Sequence, residues 1–357
     1  MLYKQDWEPA RKRIEAFWNG EMVDRCAVAV AAPLHAEKLS EAQGRLEAMK
    51  KNDPVRYWTD IDFNLSTREE IFKNTYYGGE AIPNLFTNLG PSVVCAYMGS
   101  GAKFLEDTVW FDDIIEEWDK GLHLDEDSNL LKLTFDYTLA AVEAGKGKYF
   151  VSTTDLGGTG DVLAALRGNE NLCVDLFENP DEVKAAVKFI SKVWMDVFNK
   201  QCDMISDVSE GCPSRLIWAP GSHYPLQCDF SAMLSSSQFN KFFLDDIIQM
   251  CNDLEYPMFH LDGPDIARTH LDSILAIKVL RAIQWVPGAG SPPLAHWIPM
   301  LRKIQDAGKG AYFGASPQDL DMVFDNLIPE RCFILTSASS KEEADEIICY
   351  IEKRSKE

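Results

Sequence analysis

The chain has 357 residues, of which 46% are apolar and 25% are charged, and its formal net charge is -21. These proportions are typical of a globular protein, and this length suits either two domains or one long barrel domain. The acidic balance argues against nucleic acids and anionic membrane surfaces as partners, because both are bound through basic patches. We therefore expect a small-molecule ligand.

The nine cysteines are scattered along the chain and form no Cys-x-x-Cys pair. An odd number without regular spacing predicts neither a disulfide framework nor a zinc ribbon. The first residues contain no basic region followed by an apolar one, so no signal peptide is expected. The longest apolar runs are too short to span a bilayer. These features favour a reducing cytoplasm.

The first third of the chain is predicted to begin with an amphipathic helix at 6–18, a strand at 26–32 and a charged helix at 36–51. Residues 53–111 are rich in aromatic and turn residues. They predict an elaborated loop region with one or two short helices and one strand, the latter between residues 80 and 100. Long insertions of this kind often form lids or pocket walls.

From residue 130 onward, strands and helices alternate. The predicted strands lie at 148–154, 215–218, within 256–264, and at 282–286, 311–314 and 332–336. The predicted helices lie at 130–145, 161–167, 180–200, 238–252, 266–277, 298–307, 319–327 and 341–353. Strands separated throughout by helices predict a parallel sheet. Eight such units predict one (β/α)8 barrel domain over residues 1–357. An open doubly wound sheet is the alternative, but no glycine-rich dinucleotide fingerprint follows the first strand.

The predicted site is organised around the stretch 256–264, an apolar strand that a Gly-Pro pair ends. His260 and Asp262 are two residues apart, so both side chains point to one face of this strand. They lie at its carboxyl end, and the active sites of parallel α/β sheets usually lie at the carboxyl ends of the strands. The next strand brings Gln284 and Trp285 to the same end.

Other polar or aromatic side chains follow the remaining strands. They are Thr154, Asp155, Trp218, His223, Tyr224, Gln227, Cys228, Asp229, Ser337 and Ser339. One histidine, one carboxylate and one thiolate could form an open zinc site. The predicted metal ligands are therefore His260, Asp262 and Cys228. The predicted catalytic residues are His260, Asp262, Asp155 and Gln284, and the predicted substrate-binding residues are Trp285, Thr154, His223, Tyr224 and Trp218.

Each of these assignments has a structural alternative. His260 could be a hydrogen-bonded core histidine, and Asp262 could be a turn residue bonded to its own backbone. Cys228 could be a small buried hydrophobe. Trp218 and Trp285 could be core residues or pocket wall. The sequence leaves these alternatives open.

Several short motifs carry a resemblance to a known superfamily. They are Asp6-Trp7-Glu8, Trp18-Asn19-Gly20, Glu106-Asp107-Thr108-Val109-Trp110, Asp155-Leu156-Gly157-Gly158, the segment 227–235, His260-Leu261-Asp262-Gly263 and the segment 284–288. With the order of elements, they resemble the uroporphyrinogen decarboxylase-like superfamily, which includes corrinoid-dependent methyltransferases. The resemblance covers most of the chain, is strongest from about residue 148, and implies a (β/α)8 barrel.

Two branches of that superfamily fit this chain poorly. The decarboxylase itself has an arginine-rich motif after its first strand, which holds the many carboxylates of its substrate. Here Arg25 precedes the first strand and no arginine follows it directly. The thiol-methylating branch binds zinc through a His-x-Cys motif and a later cysteine. His260 matches that histidine, but Asp262 stands at the first cysteine and residues 336–340 contain no second one.

The residues and the resemblance together predict a cytoplasmic methyltransferase. It would move a methyl group from a small methoxy or methylamine compound to a corrinoid carried by a partner protein, with zinc at His260 and Asp262. A homodimer is compatible with the sequence. The alternatives are decarboxylation of another carboxylate or tetrapyrrole and a non-catalytic ligand-binding barrel.

Overall fold

The computed structural model describes residues 1–215 and 217–356. Their α-helices are α1 Trp7–Asn19, α2 Ala36–Asn52, α3 Pro54–Thr59, α4 Ile61–Lys73, α5 Val94–Tyr97, α6 Asn129–Gly145, α7 Thr159–Arg167, α8 Asn169–Glu178, α9 Pro180–Ser209, α10 Ser236–Phe242, α11 Leu244–Asp253, α12 Pro264–Leu275, α13 Leu294–Asp306, α14 Leu320–Asn326 and α15 Lys341–Arg354. Their strands are β1 Ala27–Pro33, β2 Thr75–Gly79, β3 Asn84–Phe86, β4 Ala102–Phe104, β5 Val109–Phe111, β6 Phe150–Ser152, β7 Pro225–Leu226, β8 Met258–Asp262, β9 Ala282–Val286, β10 Gly310–Gly314 and β11 Cys332–Ser337.

The main sheet has seven strands in the order β2-β1-β11-β10-β9-β8-β7. Every pair in it is parallel except β1 and β2. β3 and β6 form a separate parallel pair, and β4 and β5 a separate antiparallel pair. The fold is thus mixed α/β with a mostly parallel sheet. Among the described residues, hydrogen bonding does not join all strands into the single closed barrel that was predicted.

Most predicted elements of the carboxyl-terminal half agree with the structure, but the helix predicted at 238–252 is divided at Phe243 into α10 and α11, and one predicted strand is missing. The strand predicted at 215–218 does not form at Arg215, Ile217 and Trp218, and Leu216 lies outside the described residues. β7 instead pairs with β8. β7 has only two residues and follows the polar, turn-rich segment 219–224. A strand this short shows no hydrophobic alternation from which it could be predicted.

Residues 53–111 contain more regular structure than the predicted loop region. The strand expected between residues 80 and 100 is confirmed as β3, which runs parallel to β6. β2 was not predicted and forms the antiparallel edge of the sheet. Its sequence, Thr-Tyr-Tyr-Gly-Gly, ends in glycines that suggest a turn. However, the φ of +59° at Gly79 and its close approach to the Val28 carbonyl oxygen allow no side chain there.

Helix α1 covers the sheet where the strands begin. Its buried aromatic residues contact the first residues of several strands. The Trp7 ring lies 4.9 Å from that of Phe150 in β6, and the Phe17 ring lies 5.4 Å from that of Phe333 in β11. Gly20, with a φ of 68°, ends the helix. The amino-terminal ends of the strands are therefore closed by apolar packing, and polar chemistry is left to their carboxyl ends.

Two cysteines form a disulfide that the sequence did not predict. Cys202, near the end of α9, is bonded to Cys212 in the following loop, and their Cα atoms are 5.8 Å apart. A spacing of ten residues gave no sign of pairing, because the loop must fold back on the helix before the two sulfur atoms meet.

Within residues 1–215 and 217–356, none of the helices combines the length and the apolar character needed to cross a lipid bilayer.

A buried ion pair fixes β2 beside β1. The guanidinium of Arg25 donates to both carboxylate oxygens of Glu80, at 2.7 and 2.9 Å. Glu80 also accepts a hydrogen bond from the Val28 backbone nitrogen, and both charged side chains are buried. The antiparallel edge of the sheet therefore depends on a charge pair that has no access to water.

Replacing Glu80 with glutamine should lower the free energy of unfolding by about 3–5 kcal/mol, because Arg25 would remain buried without an anionic partner. Urea denaturation would measure the change. The matched control is Glu143→Gln, which removes the exposed pair with Lys146 and should cost less than about 1 kcal/mol. Equal effects of the two substitutions would contradict the importance of the buried pair.

Candidate functional site

Strand β8 places two polar side chains at its carboxyl end, as predicted. Phe259 and Leu261 point into the core under the helices, whereas His260 and Asp262 point to the other face. Gly263, with a φ of +79°, and Pro264 then turn the chain into α12. The distance between His260 Nε2 and Asp262 Oδ2 is 4.0 Å.

Gln284 orients the His260 ring. The two residues are direct neighbours across β8 and β9, and His260 Nδ1 lies 2.6 Å from Gln284 Oε1. Because an amide oxygen can only accept, Nδ1 is the donor, and in the neutral ring Nε2 then has the free lone pair. Gln284 is buried, so this orientation is held away from water. A histidine fixed through one ring nitrogen is ready to bind a metal through the other.

A third candidate ligand comes from the short 3₁₀ helix at residues 229–233. One ligand atom each from Asp229, His260 and Asp262 can be chosen so that all three lie within 4.8 Å of one another. The turn is fixed by Asp161 in α7, whose carboxylate accepts a hydrogen bond from the Phe230 backbone nitrogen at 2.7 Å. These three side chains form what we call the carboxylate–histidine cluster.

Cys228 does not take the metal-ligand position that was predicted for it. Its side chain is buried beside Gly160 and Phe243, and burial raises the pKa of its thiol well above the usual range. The neighbouring Asp229 extends the other way, into the cluster. Which of two adjacent residues faces the site depends on the 3₁₀ turn, whose register no local sequence pattern indicates.

The carboxylates at this end of the sheet repel one another. Asp229 is an exposed residue at the edge of the cluster, and the pKa of its carboxyl group is raised by partial loss of solvent and by the charges of Asp161, Asp262 and Asp155. The pKa of Asp155 is raised by burial, which Arg215 and His260 only partly oppose. A bound cation would relieve this repulsion, because it favours the ionised carboxylates.

The cluster borders a cavity of about 210 Å³. Its lining residues are Phe86, Pro91, Thr153, Thr154, Asp155, Ser214, Arg215, Tyr224, Pro225, Gln227, Asp229 and His260. Three predicted site residues, Thr154, Asp155 and Tyr224, therefore meet His260 here. The Tyr224 hydroxyl accepts a hydrogen bond from the Leu156 backbone nitrogen, whereas the buried Thr154 hydroxyl has no partner among the described residues.

Three residues predicted to bind substrate, Trp285, Trp218 and His223, do not line this cavity. Trp285 points away from the cavity and packs on Trp297, with ring centroids 4.6 Å apart. It is adjacent to Gln284, so strand alternation sends it to the opposite face. Trp218 packs on Trp7 of α1, and its indole nitrogen donates to the Ser209 carbonyl oxygen.

His223 is likewise a structural residue. It is fully buried, its Nδ1 lies 2.7 Å from the Tyr256 carbonyl oxygen, and its Nε2 lies 3.1 Å from Ser214 Oγ. Burial lowers its pKa to about 4, so it is neutral at neutral pH. Both ring nitrogens are occupied by the protein, which explains why it does not contribute to the cavity.

Arg215 is the residue of the cavity that the sequence reasoning missed. It was read as part of a strand, but it lies in the loop between α9 and β7 and lines the cavity. The only available signal was an arginine at the first residue of a predicted strand in an acidic chain. Asp229 was recognised as a polar residue of this region, but it was not assigned to the metal.

Comparisons with known proteins bear on the fold. No family model matches the chain, and no curated protein sequence matches it. Among solved structures, it is similar to a methyltransferase from Methanosarcina mazei, with a TM-score of 0.59 and 9% sequence identity. The match covers 96% of this chain and 98% of that one. At this identity the similarity establishes a methyltransferase-like fold over nearly the whole chain.

The buried His223 predicts a pH dependence of stability. Its folded-state pKa of about 4 is below the value of 6.5 for a free histidine. The unfolded chain therefore binds the proton more readily, and this contribution to stability is complete above about pH 6.5 and is lost as the pH falls toward 4. The loss can reach about 3 kcal/mol.

This effect can be isolated by comparing wild type with His223→Gln in urea denaturation at pH 7 and pH 5. The stability advantage of wild type should shrink at pH 5. His35→Gln changes an exposed histidine and should show no such change between the two pH values. An advantage of wild type over His223→Gln that stays constant with pH would show that His223 does not remain neutral.

Proposed function

We propose that this protein is a methyltransferase that binds a divalent metal ion, most suitably zinc, through His260, Asp229 and Asp262. It would remove a methyl group from a small methoxy or methylamine compound and pass it to a corrinoid carried by a partner protein. The observation that carries the proposal is the carboxylate–histidine cluster at the edge of a cavity, in a fold similar to that of a methyltransferase.

The donor atoms suit a divalent ion. Catalytic zinc sites typically use three nitrogen, oxygen or sulfur ligands and keep one position open. Ligands around one such ion, about 2.1 Å from it, lie no more than about 4.2 Å apart. The cluster atoms lie within 4.8 Å of one another, and the Asp262 side chain is 41% exposed and therefore free to turn inward. Two carboxylates also balance the charge of the ion.

A bound ion would supply Lewis-acid activation of the methyl-bearing oxygen or nitrogen. The protein's own residues contribute the rest. Gln284 holds His260 in the tautomer that leaves Nε2 unprotonated. Asp155 lines the same cavity, and its raised pKa makes it a better proton carrier than an exposed carboxyl group. In its protonated form, Asp155 would donate its proton to the oxygen or nitrogen that keeps the bonding electron pair when the methyl group leaves.

A reaction with two substrates also needs room for the methyl acceptor. A second cavity of about 690 Å³ shares Pro91, Gln227 and Asp229 with the first. It is lined by aromatic residues from β5 and the 3₁₀ helix, and Trp110 at its edge is 63% exposed. This volume is in the usual range for ligand sites. We assign the smaller cavity to the methyl donor and the larger one to the approach of the acceptor.

We also propose that the strands form one (β/α)8 barrel. Residues after β6, such as Thr154, line the same cavity as His260 of β8, although their strands belong to different hydrogen-bonded sheets. Phe150 of β6 likewise joins the main sheet in packing against α1. These contacts support a (β/α)8 barrel, which is the fold of the superfamily that the sequence resembles. Among the described residues, hydrogen bonds do not join all of its strands.

The metal ligands can be tested by measuring the zinc content of supplemented protein. His260→Ala and Asp229→Asn should each weaken zinc binding by about 10–100-fold or more, since loss of supporting groups alone has that effect. Cys228→Ala is the matched control and should retain zinc, because its thiol faces away from the cluster. Thermal melts of each variant would separate loss of a ligand from loss of folding.

Absence of stoichiometric zinc from supplemented wild type would contradict the proposal and favour a cofactor-free decarboxylase or a binding protein. Zinc loss from Cys228→Ala but not from Asp229→Asn would restore the ligand set predicted from the sequence. The reaction itself is tested by mixing the zinc-loaded protein with methoxy and methylamine compounds and a Co(I) corrinoid. Methyl-corrinoid formation would be followed by absorbance.

Uroporphyrinogen should not be a substrate. Recognition of its many carboxylates needs several bidentate arginines, but Arg215 is the one arginine among the described residues that line the smaller cavity. A cavity of about 210 Å³ also falls below the range for drug-sized ligands. A turnover assay should therefore detect no coproporphyrinogen, and its formation would favour the decarboxylase alternative.

A further inference from the structure

The smaller cavity contains a cation that the proposed chemistry does not use. Arg215 lines it near Asp155 and lies 5.9 Å from the centroid of the Phe86 ring. No hydrogen bond or salt bridge joins its guanidinium to another residue that the structure describes. Its side chain is exposed, and its charge acts on Asp155 and Tyr224, which line the same cavity.

A second unsatisfied group lies in the same cavity. Thr154 is fully buried, and its Oγ1 has no hydrogen-bond partner among the described residues. Buried hydroxyl groups are nearly always hydrogen-bonded, because an unsatisfied one is costly. A hydroxyl donor and a planar guanidinium with free donors match the acceptors of a carboxylate group.

The surroundings restrict the charge and size of such a ligand. Asp155 and Asp229 line the same cavity, and the chain as a whole carries a net charge of -21. One guanidinium can hold one carboxylate, but a polyanion would meet the carboxylates of the protein. The volume of about 210 Å³ admits only a small molecule.

We propose that the methyl donor carries a single carboxylate group, which Arg215 and Thr154 bind at one end of the smaller cavity. The methyl-bearing oxygen or nitrogen then lies toward His260 at the other end. This assignment rests on the proposed function for the identity of the reactive end. The carboxylate site itself depends only on Arg215 and Thr154, so it can be tested without methyl transfer.

The test compares two probes that differ mainly in charge, methoxyacetate and its neutral amide 2-methoxyacetamide. Binding to the full-length protein is measured by titration calorimetry in the presence of a chelator, so that a metal ion cannot bind the carboxylate. Wild type should bind methoxyacetate roughly 10-fold or more tightly than the amide, as expected for charge-assisted hydrogen bonds. Arg215→Gln should lose this preference without weakening binding of the amide.

Three variants make the result specific. Arg302→Gln removes the same charge from an exposed pair with Asp306 and should keep the preference. Arg215→Lys should keep part of it, because the charge remains but the bidentate geometry does not. His35→Gln changes an exposed histidine that does not line the cavity and should also keep it.

Several results would overturn the proposal. They are equal affinity of wild type for the two probes, equal affinity of wild type and Arg215→Gln for methoxyacetate, and no binding of either probe at millimolar concentrations. Failure of zinc binding or of methyl transfer, with the carboxylate preference intact, would instead refute only the proposed function.

Discussion

The structure depends on one geometric constraint, the alternation of side chains along parallel strands. In β8 and β9, one set of residues packs under the helices, and the other set faces the opposite side. On that side, α1 covers the beginnings of the strands with Trp7 and Phe17. Polar side chains can therefore reach a cavity only near the carboxyl ends. His260, Asp262 and Gln284 occupy those positions.

This arrangement concentrates negative charge. Asp155, Asp161, Asp229 and Asp262 come from separate segments, and the charges of the other three raise the pKa of Asp229. Folding brings them together because each is fixed by its own element: Asp161 by α7, and Asp229 by the turn that Asp161 holds. Such crowding is unfavourable unless protons, cations or hydrogen bonds compensate. A site that keeps this strain is a candidate for function.

The polar side chains of the candidate site have two kinds of role: some position other groups, and others have atoms available to a ligand. Gln284 and Asp161 position other groups, and their hydrogen bonds end within the protein. His260 Nε2, Thr154 Oγ1 and the Arg215 guanidinium are left available to a ligand. His223 shows the contrast, because both of its ring nitrogens are already engaged and it is shielded from the cavity. Whether a polar group already has a hydrogen-bond partner in the protein thus distinguishes structural from candidate functional residues more clearly than residue type does.

The sequence by itself determined the alternating helices and strands, the mostly parallel sheet, and the two-residue spacing that puts His260 and Asp262 on one face. It could do so because hydrophobic periodicity and turn residues act locally. The same alternation should have excluded Trp285, which is adjacent to Gln284. Only the tertiary structure decided that Asp229 and not Cys228 joins the cluster, that Arg215 lines the cavity, and that Cys202 meets Cys212. The first two outcomes depend on how segments far apart in sequence pack against the sheet, and no local pattern encodes such long-range contacts. The disulfide joins residues only ten apart, and it depends on how the loop after α9 folds back on that helix.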